Sequence, residues 1–365
     1  MPDPVAQACA RTIRGVTLWL MLAACSRTKD AAPPPRVDLT GAGATFPYPL
    51  YRAWFSEYGA RANVRINYFS VGSAEGLRLL AQGDADFGAT DKPLQPELAR
   101  AAQGCARIAI PTVIGPIAVA YHLPSSADSA SPLHFDAALL ADIYSGRVTH
   151  WNAPAVRALN PHVVLPATKI TVVHRASGSG TGRAFSDFLA TSGRWAGSNG
   201  GDSVDARWPV GIAAEGNEGV ASEVKVTLGA IGFMELAYAR QNRLRIGAVK
   251  TAGGGFLLPG RGATAYPITA RTWLVIDPTH VSAERGEMLA SFIRWALHDG
   301  AEQAIALEYT PLPADTVAHY DSLLRALTFG KCAVRDTAHL RPAAIRPGAI
   351  ADAASARVAA SGRAP

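Results

Sequence analysis

The densest run of chemistry-bearing residues is Arg175-Ala176-Ser177-Gly178-Ser179-Gly180-Thr181. A guanidinium brings a rigid fork of donors, and Ser179 and Thr181 add hydroxyls. Ahead of it, Ile170-Thr171-Val172-Val173 is an apolar, β-branched run that reads as a buried strand. Behind it, Phe185, Phe188 and Leu189 fall at i, i+3 and i+4, the spacing of one helix face. The stretch is therefore a strand-to-helix turn, with Ser179 or Thr181 as N-cap and glycines permitting the tight backbone. Its free N–H groups would point outward at the positive end of a helix dipole, which favours an anion. A solvated Gly/Ser loop carrying one surface arginine has the same letters. A Walker A loop is excluded because no Gly-Lys-Ser/Thr closes the turn. A nucleophile elbow needs glycine two residues either side of the serine, where Ser179 has Ser177 and Thr181.

Two further stretches repeat the pattern, and a third is a strand that leads into a turn alone. Thr45-Phe46-Pro47 follows a Gly-rich segment and precedes a helical pattern carried by Leu50, Trp54 and Tyr58, with Pro47 in the first turn. Val64-Arg65-Ile66-Asn67-Tyr68-Phe69 alternates like a strand and runs through Gly72-Ser73 into a helix bearing Leu77, Leu79 and Leu80. Asp86-Phe87-Gly88-Ala89-Thr90-Asp91 is a short strand whose last residue sits near Pro93, at a strand end where open α/β sheets gather their ligands.

Length and charge bound the rest. The 365 residues suggest about two domains. Hydrophobic content of 48% with 18% charged residues is ordinary for a soluble globular chain. The formal +6 invites a nucleic-acid partner, but the first 25 residues carry +1 and those from Lys331 onward +4. Only +1 is left for the middle, so no nucleic acid is expected.

Arg11 and Arg14 precede the apolar Gly15-Val16-Thr17-Leu18-Trp19-Leu20-Met21, too short to span a bilayer and laid out like a signal peptide. It ends in Leu22-Ala23-Ala24-Cys25, which resembles a bacterial lipobox, with Cys25 as the lipidated first residue of an exported, membrane-anchored protein. Cys9 would leave with the leader. Cys105 and Cys332 could then pair or remain separate thiols.

The expected fold is α/β, a two-lobed clam-shell. Each lobe is a mostly parallel sheet flanked by helices, and two extended crossover strands, 108–121 and 266–276, join them. Helices are expected at 136–144, 282–298 and 313–327. The expected organisation is a signal peptide (1–24), a lipidated Pro-rich tether (25–37), lobe 1 (38–115 and 268–331), lobe 2 (116–267) and a basic Ala/Pro-rich tail (332–365).

Several segments, in order, resemble the phosphate-binding protein of bacterial high-affinity phosphate ABC importers, a family of type II periplasmic solute-binding proteins. They are Thr40-Gly-Ala-Gly-Ala-Thr-Phe-Pro47, Gly72-Ser73, Asp86-Phe-Gly-Ala-Thr-Asp91, residues 175–181, Trp208-Pro-Val-Gly211, Gly216-Asn-Glu-Gly219 and Gly229-Ala-Ile-Gly-Phe233. The resemblance runs from about 39 to 329. It implies a monomer that holds dehydrated phosphate between its lobes and delivers it to permease and ATPase subunits, with no cofactor and no catalysis. Carried over, Thr45 would give its hydroxyl and N–H, Phe46 its N–H, and Ser73 its hydroxyl and N–H. Arg175 would give the charged fork, Ser179 its hydroxyl, and Gly180 and Thr181 their N–H groups.

Asp91 would be the lone acceptor. A buried carboxylate facing an anion is costly unless the ligand carries a proton. Hydrogen phosphate does and sulfate does not, so Asp91 would accept from one and repel the other. Sites that demand a ligand hydrogen reject analogues lacking it by roughly 10⁴–10⁵. Alone, Asp91 would read as a turn residue capping its own backbone.

Many relatives place an acid two residues after the arginine, where this chain has Ser177. Arg175 is therefore expected to be held less rigidly, or by another carboxylate. His174, next to it on a strand, should face the other way and be structural. No histidine shows metal-ligand spacing. Competing readings are a phosphohydrolase using Ser179 or Asp91 on phosphate esters, and a binder of another oxyanion on the same fold.

Overall fold

The computed structural model describes residues 36–94, 99, 106–124, 131–176, 178–196, 207–260 and 265–330. The expectations for the signal peptide, for Cys25, Cys105 and Cys332, for the tail and for Ser177 lie outside the described residues. The fold is carried by residues 37–330.

That fold begins with β1 (Val37–Gly43), α1 (Tyr48–Ala62), β2 (Val64–Ser70), α2 (Ser73–Gln82) and β3 (Phe87–Thr90). β1 pairs in parallel with both β2 and β3, so α1 and α2 are the crossovers of two βαβ units. Leu50, Trp54 and Tyr58, four apart, are buried along one side of α1. β4 (Ile108–Tyr121) follows and is almost entirely buried.

Next come β5 (His134–Phe135), α3 (Ala137–Tyr144), α4 (Pro154–Leu159), β6 (Thr171–Arg175), α5 (Gly180–Ala190), β7 (Ile212–Ala214), α6 (Gly216–Val226), β8 (Ala230–Glu235), α7 (Leu236–Gln241), β9 (Arg245–Ile246), β10 (Ala248–Lys250) and β11 (Phe256–Leu257). The chain finishes through β12 (Thr269–Ile276), α8 (Ala283–Leu297), α9 (Ala301–Ala306), β13 (Thr310–Pro311) and α10 (Ala314–Ala326). The helices at 137–144, 283–297 and 314–326 stand where their apolar spacing put them.

β4 belongs to both lobes. Residues 108–116 pair antiparallel with β12, and residues 117–121 pair antiparallel with β8. The chain returns beside it: Ile117 N–H donates to the Ile268 carbonyl at 2.8 Å, and the Tyr266 hydroxyl to the Ile117 carbonyl at 2.9 Å. β12 then lies wholly with β3 and β4 in the first lobe. Pairing is parallel where strands carry the Gly/Ser turns (β1, β2 and β3; β6, β7 and β8) and antiparallel around the crossovers. The outward and returning segments must run in opposite directions, which fixes that difference.

Each lobe has an aromatic centre. Phe55 of α1 packs on Tyr68 of β2 at 5.7 Å in the first, and Phe185 of α5 stacks on Phe233 of β8 at 4.2 Å in the second. These centres hold α1 and α5 against their sheets, with the turns before both helices aimed at the boundary between the lobes.

Candidate functional site

β6 ends at Arg175 and α5 begins at Gly180. Gly178 makes the turn at φ +75°, a left-handed conformation that suits glycine. Of the two possible caps, Ser179 is the one used: its hydroxyl accepts from Gly182 N–H at 2.9 Å. The Ser179 O–H remains available to donate elsewhere. The N–H groups of Gly180 and Thr181 lie in the first turn of α5, where no earlier turn can accept from them.

Arg175 is 5% exposed, and its Nε has no hydrogen-bond partner among the described residues. Burial pulls its pKa down, while the carboxylates of Asp91, then Glu218 and Glu215, push it up. Glu218 and Glu215, at the start of α6, are the acids near Arg175 in the second lobe. His174 points away, its ring stacked on Trp208 and its Nδ1 within 3.0 Å of the Arg175 carbonyl oxygen.

The first lobe supplies the facing half. β1 runs into the turn holding Thr45 and Phe46, both buried. Thr45 does not cap α1 with its side chain. Its hydroxyl accepts from Asn217 of the other lobe, at 3.2 Å from N–H and 2.8 Å from Nδ2. The Phe46 carbonyl accepts from the Tyr309 hydroxyl at 3.0 Å. Ser73 starts α2 and accepts from Asp91 N–H at 3.2 Å.

Asp91 follows the last residue of β3 and is 7% exposed. One carboxylate oxygen accepts from the Thr272 hydroxyl at 2.7 Å and the other from the Thr181 hydroxyl at 3.3 Å. Burial raises its pKa to about 6, against the lowering effects of Thr272, Arg175 and Thr181. The lobes also meet here. A Cβ on Gly180 would stand 2.6 Å from Asp91 Cβ and 3.0 Å from Ser73 Oγ. The Gly178 carbonyl accepts from Ala74 N–H across the same boundary at 3.2 Å.

Thr45, Ser73, Asp91, Gly180 and Thr181 thus meet through direct contacts or through Asn217. Phe46 adjoins Thr45. Arg175 and Ser179 flank the turn, where a Cβ on Gly182 would touch both side chains at 3.3–3.4 Å. Sequence reasoning singled out neither Asn217, Thr272 nor Tyr238. Asn217 lay within Gly216-Asn-Glu-Gly219, a stretch noted without assigning its parts. Thr272 sits in an apolar strand, where a β-branched residue reads as a strand former. Chemically, the arrangement gathers hydroxyls, first-turn N–H groups and one guanidinium around a single carboxylate, a donor set able to take up an anion that carries a hydrogen. The Ser179 hydroxyl serves the helix cap and is hydrogen-bonded to no base among the described residues.

Residues 28–299 match the PBP superfamily domain. The chain is 34% identical to the phosphate-binding protein PstS of Xylella fastidiosa (strain 9a5c) over 78% of this chain and 84% of that one. It is also 34% identical to the PstS of Pasteurella multocida, over 84% and 94%. In fold it is similar to a high-affinity periplasmic phosphate-binding protein, PfluDING, bound with phosphate (TM-score 0.64, 18% identity, 80% of this chain and 94% of that one). It is likewise similar to an ABC-type phosphate transport receptor from Vibrio cholerae (TM-score 0.51, 16% identity, 75% and 100%).

Proposed function

The chain belongs to the PstS phosphate-binding family within the PBP superfamily, and from that premise we propose that it captures inorganic phosphate between its lobes for an ABC importer. The observation that carries the proposal is Asp91, a buried acceptor set among donors from both lobes. Arg175, Ser179, Gly180 and Thr181 donate from one side, and Thr45, Phe46 and Ser73 from the other. Asp91 takes the one hydrogen that the ligand keeps. Phosphate and arsenate both carry such a hydrogen at neutral pH, and sulfate does not.

Lobe closure brings Asp91 and the first turn of α5 together, strips water from the anion and strengthens each charge-assisted bond. The closed protein then presents phosphate to permease and ATPase subunits. In this reading the chain is exported, and a lipid on Cys25 ties it to the cell envelope. A Cys25→Ala variant that still sediments with membranes would remove that part.

The test of binding is calorimetric titration of the body from about residue 37, refolded to strip carried-over ligand, with phosphate, sulfate and arsenate. Phosphate should bind one-to-one at micromolar or tighter, about −8 kcal/mol or more favourable, with no heat from sulfate at pH 8. Equal binding of sulfate would remove the role given to Asp91, and no phosphate binding would remove the transport reading. Turnover of a chromogenic phosphate ester, lost in Ser179→Ala, would replace the reading with a hydrolase.

A further inference from the structure

Thr45 is gripped by the opposite lobe at its hydroxyl and at its carbonyl. Its hydroxyl accepts from Asn217 N–H and Asn217 Nδ2, and its carbonyl accepts from the Tyr238 hydroxyl at 2.7 Å. Asn217 lies in the first turn of α6 and Tyr238 in α7, both of the second lobe. Asn217 is itself locked, because its Oδ1 accepts from Glu235 N–H at 2.9 Å. That bond fixes which end of the amide faces Thr45. The Glu235 carboxyl in turn accepts from Ala237 N–H at 2.9 Å and sets the start of α7, one residue before Tyr238. All four residues are buried.

We propose that Asn217 and Tyr238 form an interlobe latch that holds the cleft closed and aims the Thr45 hydroxyl hydrogen at the bound anion. The inference rests on the phosphate-binding reading given above. A hydroxyl has one hydrogen and two acceptor positions. Asn217 occupies both acceptor positions, so the hydrogen must point elsewhere, and the cleft is where an anion would take it. Asn217 Nδ2 also lies 3.4 Å from the Thr181 hydroxyl oxygen, whose own hydrogen goes to Asp91. One amide thereby orders a hydroxyl from each lobe. Each of these bonds to Thr45 joins the two lobes and breaks when they part. They therefore count toward the difference in free energy between closed and open forms, the quantity that sets how long a ligand stays. Neither Asn217 nor Tyr238 needs to touch the ligand; they are positioning residues.

The test uses Asn217→Ala and Tyr238→Phe in the refolded body, with two readouts. Stopped-flow phosphate kinetics should show release accelerated roughly 3–10-fold by Tyr238→Phe and roughly 10–100-fold by Asn217→Ala, with association changed less than about 3-fold. Amide hydrogen exchange at Ala74, whose N–H donates to Gly178 across the lobes, should quicken in both variants, while the amides of β4 exchange as in the parent. A purely structural role would instead lower protection in β4 and slow association. Tyr238→Phe guards against failure to fold, since it removes one hydroxyl and adds no charge. Unchanged release together with unchanged Ala74 exchange overturns the latch. If the parent binds no phosphate, the transport reading falls and Ala74 exchange still decides the latch: faster exchange in the variants supports it, and unchanged exchange overturns it.

Discussion

Sulfate should enter the cleft when the pH falls. The Asp91 carboxyl has its pKa raised to about 6 because it is buried, and Thr272, Thr181 and Arg175 recover only part of that cost. At pH 8 about 1% of free protein has Asp91 neutral, and at pH 5 about 90%. Sulfate brings no proton of its own in this range, so only the neutral form can give it a hydrogen bond. When only a fraction of molecules is competent, apparent affinity scales with that fraction. Sulfate binding should therefore tighten ~90-fold from pH 8 to pH 5, about 2.7 kcal/mol. Phosphate can supply the shared hydrogen itself at pH 8, so its affinity should move by less than ~10-fold. The assay is competition calorimetry at fixed ionic strength across pH 5–8, on parent and Asp91→Asn. The variant should bind sulfate at every pH with little slope. His174 adjoins Arg175 with its pKa lowered by burial, and Glu235 beside Asn217 has its pKa raised to about 8, so a slope left in Asp91→Asn belongs to these two groups. A flat sulfate profile in the parent, or a full slope in Asp91→Asn, refutes the assignment of the proton to Asp91.

Gly180→Ala places a methyl 2.6 Å from Asp91 Cβ, where the lobes meet. Phosphate should bind roughly 10–100-fold more weakly while the free protein melts within a few degrees of the parent; unchanged affinity would mean the lobes need not come so close. Thr272→Val removes the shorter of the two side-chain bonds to the Asp91 carboxylate. The midpoint for sulfate should rise by about 1–2 pH units, and a midpoint still at 6 would show that Thr272 does not favour the charged form. Glu235 is fully buried, and desolvation raises its pKa from 4.5 to about 8. The folded state thus holds this proton more tightly than the unfolded state. Stability from it is complete below pH 4.5 and lost as pH rises through 8, by about 5 kcal/mol at most. Glu235→Gln should abolish that slope in urea melts between pH 5 and 9, and an equal slope in the variant would place the proton elsewhere.

The half-sites were legible in the sequence because backbone conformation is written locally. Gly178 before Ser179 and Gly72 before Ser73 announce turns into helices, and Asp91 beside Pro93 announces a strand end. What occupies the far side of each turn was not legible. Thr45 and Asn217 are 172 residues apart, and Thr272 and Asp91 are 181 apart. The first pairing follows from closure of two lobes and the second from β12 returning beside β3, and neither leaves a periodic trace. Glu235 misleads for a related reason. A glutamate at the end of a strand reads as solvated, yet it runs straight into α7 as its N-cap and is fully buried, with Tyr309 beside its carboxyl. The sheets also hold more antiparallel pairing than repeated strand–turn–helix units suggest, because the crossovers run against each other.

Donor and acceptor roles in the cleft are assigned across the boundary. The Thr45 hydroxyl of the first lobe accepts twice from Asn217 of the second, which leaves it only its hydrogen to offer the cleft. The Asp91 carboxylate of the first takes one of its two side-chain donors from Thr181 of the second. An anion meeting an open lobe would find hydroxyls free to turn and a carboxylate lacking one of those donors. A site of that kind discriminates little, because a rotating hydroxyl can serve as donor or acceptor. Closure removes the freedom. Only then is each group committed, and only then does a ligand with the wrong proton count face a buried Asp91 carboxylate to which it has no hydrogen to give. Sulfate should accordingly be rejected by failing to hold the lobes together, so it should shorten the closed state more than it slows encounter. Measured association rates for phosphate and sulfate within about tenfold at pH 8, with release differing by far more, would fit this order of events. A sulfate association rate as reduced as its affinity would instead mean that the open lobe already discriminates.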